Sequence, residues 1–81
     1  MRMPRDISGA ELTKLLSKLG YKIIRQTGSH IRLTTQQNGE HSVTVPYHNP
    51  LRVGTLSAIL ADVANHVSLT KDDLMQRLFE E

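Results

Sequence analysis

Asn38-Gly39, flanked on both sides by runs that alternate apolar and polar residues, commits the middle of the chain to an antiparallel hairpin. Asparagine and glycine accept the left-handed backbone that tight hairpin turns demand, and the two-residue period of the flanks gives each arm one apolar face. On the upstream arm, His30 to Thr35, residues Ile31 and Leu33 point one way and His30, Arg32 and Thr34 the other. On the downstream arm, His41 to Val45, the apolar face carries Val43 and Val45 and the polar face Ser42 and Thr44. Tyr21 to Gln26 is rich in β-formers and precedes a tight connection at Gly28, predicting a third strand antiparallel to the upstream arm and hence a three-stranded meander.

Helical signals bracket the meander. Ser8 followed by Glu11 is a capping box, Leu12, Leu15, Leu16 and Leu19 fall on one stripe, and Gly20 supplies a C-terminal stop, so a helix is expected over about Gly9 to Leu19. Pro46 ends the last strand, and Tyr47 to Arg52, with Pro50 inside it, is irregular because proline cannot donate to a ladder. A second helix begins near Val53 or Gly54, carries Leu56, Ile59, Leu60 and Val63 on one face, and closes at Asn65 or His66. Thr70 and Asp73 open a final short helix, with Leu74, Leu78, Met75 and Phe79 available to the core. The order α-β-β-β-α plus a short C-terminal helix predicts an α+β fold, a three-stranded antiparallel sheet with helices on one face. That topology resembles the double-stranded-RNA-binding domain (dsRBD-like).

The 81 residues are expected to form one domain, residues 1–81. With no cysteine the chain has neither disulfides nor a thiolate zinc site, and the aliphatic core must suffice. No apolar run approaches the roughly 20 residues needed to cross a bilayer, which predicts a soluble, cytoplasmic protein with no membrane role. The net charge is only +2, yet seven bases face two acids through Asn38, whereas three bases face six acids from Gly39 onward. The N-terminal half therefore carries the charge that would draw a polyanion, although a solvated mixed-charge surface explains the composition equally simply.

Within that half, Gly28-Ser29-His30 sets an imidazole at the mouth of a strand, on the same face as Arg32. Histidine titrates near neutral pH unaided, and the arginine fork matches phosphate oxygens, a combination suited to a phosphodiester. Gly28 would leave the backbone open to a phosphate and Ser29 could donate a hydrogen bond to it, but a plain hairpin turn accounts for both, and a strand-edge histidine is commonly just a surface residue. Arg25 and Arg32 are the first candidates for phosphate contacts and Lys22 a weaker one. His30, His41, His48 and His66 are separated by 11, 7 and 18 residues, spacings that make no chelating pair on a helix or strand, so neither a metal nor any other cofactor is expected. His41 and His66 read as structural.

Taken in order, Leu19-Gly20-Tyr21, Gly28-Ser29-His30, Val45-Pro46-Tyr47-His48, Gly54-Thr55-Leu56 and Ile59-Leu60 resemble the HicA family of small toxins, also called YcfA-like messenger-RNA interferases. The resemblance spans almost the whole chain. It implies a metal-independent endoribonuclease toxin that cleaves messenger RNA and is held inactive by a HicB-type antitoxin, with His30 as the catalytic histidine. His48 becomes a second candidate, as acid or phosphate ligand, against the simpler reading of a tethered loop histidine. Between Val45-Pro46-Tyr47-His48 and the second helix this chain offers only Arg52, where many relatives have further basic residues. Two rival functions share the fold: a noncatalytic RNA-binding module, and a decayed toxin that survives as a partner-binding protein.

Overall fold

The computed structural model describes residues 6–79. Arg2, Arg5, Glu80 and Glu81, counted above in the charge asymmetry, and the ends of the expected domain lie outside the described residues. Helix α1 spans Gly9–Leu16 and tightens into a 3₁₀ turn over Ser17–Leu19, within the single helix expected there. Both halves of the capping box form: the Ser8 hydroxyl accepts from the Glu11 N–H, and the Glu11 carboxylate accepts from the Ser8 N–H, each at 3.0 Å. The Ser8 N–H first, and the Ser8 hydroxyl second, hold the Glu11 carboxyl below its ordinary pKa. Gly20 ends the turn at φ 82°, the left-handed conformation that glycine enters without steric cost.

Strands β1 (Lys22–Thr27), β2 (His30–Thr35) and β3 (His41–Pro46) form an antiparallel sheet in the order β1-β2-β3, the expected meander. Strand β1 starts one residue later than the β-propensity suggested, because Tyr21 turns inward and is 1% exposed. At the β2–β3 hairpin Asn38 and Gly39 both take positive φ, 59° and 92°. Helix α2 spans Val53–His66 and α3 spans Lys71–Phe79, the latter opened by a Thr70 hydroxyl that accepts from the Asp73 N–H at 3.1 Å.

One layer of helices covers one face of the sheet. Ile31, Leu33, Val43 and Val45 meet Leu12, Leu16, Leu56, Leu60, Val63, Leu74 and Leu78 in a single buried core. Removing this much aliphatic surface from water is what holds a cysteine-free chain of this length together, at about 25 cal/mol per Å². All six β1 residues remain exposed, since the helices pack over β2 and β3. Among the described residues, no helix is long and apolar enough to cross a membrane.

Candidate nucleic-acid interface

The uncovered face of the sheet is a lattice of three rows fixed by strand register. Directly opposed residues share a face, so Thr27, His30 and Pro46 form the first row, Arg25, Arg32 and Thr44 the second, and Lys22, Thr34 and Ser42 the third. Hydroxyls stitch the rows across strands: Thr34 and Ser42 are 2.7 Å apart, and Arg32 Nη1 lies 3.5 Å from Thr44 Oγ1. Arg25, Arg32 and Lys22 are exposed, and the three strands contain no aspartate or glutamate. Among the described residues the only ion pair is His41 with Asp62, so none of these three cations is neutralised by a neighbouring carboxylate there.

His30 sits exposed at the corner of this lattice, where β2 begins. Its Nδ1 lies 3.0 Å from Ser29 Oγ. A serine hydroxyl can accept from an imidazole N–H while donating its own proton elsewhere, so this contact orients the ring without exhausting Ser29. The Tyr47 N–H donates to the Ser29 carbonyl at 2.8 Å, which places the segment after β3 beside the His30 corner. Gly28 lies outside the left-handed region, and a Cβ built on it would meet nothing within 4 Å. The turn therefore does not require glycine for its backbone angles; what Gly28 provides is open space.

Gly28, Ser29, His30, Arg25 and Arg32 are thus brought together, and His48 is not joined to them. It lies exposed in the loop after β3, its carbonyl accepts from the Gly9 N–H at 2.8 Å, and with Ser8, Ala10, Tyr47 and Asn49 it lines a shallow recess beside the start of α1. No hydrogen bond links His48 to His30 or Ser29. Arg52 caps α2 without a side-chain hydrogen bond and stays exposed.

The model of the family described as HicA toxin of bacterial toxin-antitoxin matches residues 9–64, from the start of α1 to near the end of α2. The chain belongs to the HicA toxin family. A HicA toxin works against an antitoxin partner in a toxin–antitoxin system. No curated protein and no solved structure gives a significant match.

Two features of this HicA chain escaped sequence reasoning. A Cβ at Gly9 would collide with the Pro46 carbonyl oxygen, so glycine there lets the start of α1 approach the end of β3; the residues are far apart in sequence and nothing local signals the contact. At the opposite end of the sheet, Tyr21 Oη lies 2.7 Å from His41 Nδ1, His41 Nε2 lies 3.1 Å from an Asp62 carboxylate oxygen, and the His41 ring stacks on His66. Both histidines are structural, as read from the sequence, but their pairing with each other was not visible. Among the described residues, no three histidine, aspartate or glutamate side chains converge on a point that could hold a metal ion.

Proposed function

We propose that the chain is a metal-independent endoribonuclease that cleaves messenger RNA in the cytoplasm and is held inactive by a HicB-type antitoxin. What carries the reading is the placement of His30 on the same open, acid-free face as Arg25 and Arg32, in a member of a toxin family. With Nδ1–H donating to Ser29, the His30 Nε2 lone pair faces solvent and takes the proton of a ribose 2′-hydroxyl. The 2′-oxygen attacks the adjacent phosphorus, and the bond to the departing 5′-oxygen breaks, leaving a 2′,3′-cyclic phosphate and a 5′-hydroxyl. Arg32, one row away, offsets charge on the phosphorane, and the open backbone at Gly28 with the Ser29 hydroxyl positions the phosphate. The 5′-oxygen takes its proton from water or from an acid supplied by the neighbouring loop, where His48 is the histidine available.

Cleavage of a defined RNA by the purified toxin in excess EDTA, with end-group analysis, tests this. Cyclic phosphate and 5′-hydroxyl ends that vanish in His30→Ala support it. Products with 5′-phosphate ends made only with divalent metal overturn the mechanism, and salt-sensitive RNA binding without any cleavage would make the chain a noncatalytic RNA-binding module. Antitoxin binding without RNA binding would make it a decayed toxin.

A further inference from the structure

Lys22 and Arg25 stand three residues apart on one strand, and simple alternation would put them on opposite faces of the sheet. The register departs from alternation: Lys22 opposes Thr34, Ile23 opposes Leu33 and Arg25 opposes Arg32, with Ile24 the extra residue between. This β-bulge rotates the strand by one position, so Lys22 joins Arg25 on the open face. Ile24 itself is 59% exposed and lines a shallow depression with Lys22 and Thr34 on that side. By the same shift Ile23, opposite Leu33, and its neighbour-but-one Tyr21 lie toward the helix-covered side; on the open side, what it changes is which way the charges face.

We propose that the bulge builds a one-sided track for single-stranded RNA with three phosphate positions: the scissile phosphate at His30, which Arg32 serves from the next row, a second at Arg25 in that row, and a third at Lys22. The proposal rests on the ribonuclease reading and adds to it a length and a direction. Successive rows are two residues apart along β2, about 7 Å at the usual strand rise, of the same order as the spacing of phosphates in an extended single strand. Beyond His30 the sheet ends at Gly28-Ser29, so the track runs from the cut in one direction only. No phenylalanine, tyrosine or tryptophan occupies any strand position, so along the rows the grip is on the backbone, and an aromatic ring meets the track only at its His30 end, where exposed Tyr47 follows β3. A protein partner would look for apolar or aromatic anchors at the centre of its footprint, whereas among the described residues the large exposed apolar side chains here, Ile24 and Tyr47, stand at opposite ends of the track. Cations interleaved with hydroxyls and free of acids suit a polyanion instead.

The test uses the full chain and 2′-O-methyl oligouridylates, which resist attack by the 2′-oxygen, in lengths from two to six nucleotides without terminal phosphates. Affinity measured by calorimetry should climb up to the tetranucleotide, which has three phosphates, and rise only by the statistical factor beyond it. Lys22→Ala should make the tetranucleotide bind like the trinucleotide, a loss of roughly three- to tenfold, with the salt slope shallower by about 0.7. Lys22→Arg should bind as the parent does, and circular dichroism should show both variants folded. Unchanged tetranucleotide affinity and salt slope in Lys22→Ala, while the parent protein still cleaves RNA, overturns the track and leaves the ribonuclease reading intact. If the parent neither binds nor cleaves RNA, both fall. If Lys22→Ala weakens only antitoxin binding, the face is a protein interface and the track is overturned.

Discussion

The imidazole rings of His41 and His66 stack with centroids 4.3 Å apart and planes 13° from parallel. His41 opens β3 and His66 closes α2, so the stack clamps the last turn of a helix onto the rim of the sheet. His66 Nε2–H is shared between the carbonyls of Gln37 and Gly39, at 2.9 and 3.1 Å, which ties the same helix end to the β2–β3 hairpin. His66→Ala should therefore loosen the hairpin and lower stability by about 1–2 kcal/mol, read as a lower urea midpoint with an unchanged slope. RNA cleavage per folded molecule should not change, because the His30 corner is at the other end of the strands. Loss of cleavage at full stability in this variant would contradict the assignment of the two ends.

Tyr21 completes the clamp and makes it sensitive to alkali. In the neutral ring, His41 Nε2–H faces the Asp62 carboxylate, which leaves Nδ1 to accept from the Tyr21 phenol. Burial, and then the Asp62 charge, push the phenol up to about 12. The folded state thus holds this proton more tightly than the unfolded state, whose tyrosine ionises near pH 10. The stabilisation is fully present below about pH 10 and is lost as pH rises toward 12. Denaturant unfolding followed across that range should show a decline that Tyr21→Phe lacks, and the parent protein should show a step in phenolate absorbance near pH 12 that the variant, with Tyr47 as its one tyrosine, lacks.

His30→Ala should abolish toxicity and reduce RNA cleavage by roughly 10²- to 10⁴-fold with the thermal midpoint unchanged, since the side chain is exposed and fills no core volume. Leu33→Ala, three residues along the same strand and 0% exposed, should do the reverse: a stability loss of about 2–5 kcal/mol, with activity retained by the molecules that stay folded. Wild-type cleavage by a folded His30→Ala protein would remove histidine from the chemistry.

Two glycines separate packing from function. Gly9→Ala places a Cβ against the backbone of Pro46, which has no flexible side chain to move aside, and should unfold a large fraction of the protein or shift α1 off the sheet, seen as a depressed melting temperature. Gly28→Ala meets open space and should leave the melting temperature unchanged. If RNA cleavage nevertheless drops in Gly28→Ala, the added methyl is obstructing a phosphate; equal cleavage would remove Gly28 from the site.

Much of this architecture was legible in the sequence because it depends on short-range physics. A helix needs its capping box and its leucine stripe within one or two turns, as Ser8, Glu11 and Leu12 to Leu19 show. A strand needs only a two-residue period, which is why Ile31, Leu33, Val43 and Val45 were assigned to the core and Arg32 to the open face. Within the site, His30 and Arg32 shared a face by the same parity, and the family pattern singled out His30. Parity failed at Arg25 and Lys22, because a bulge is defined by what lies on the partner strand, and Lys22-Ile23-Ile24-Arg25 contains nothing that marks Ile24 as the extra residue. Gly9 against Pro46 and His41 against His66 likewise belong to segments that meet only once the sheet and helices have docked. The local pattern of the chain determined which residues form each element and which face of β2 and β3 is buried. Pairing between distant segments decided the register of β1, and with it which positive charges stand beside His30.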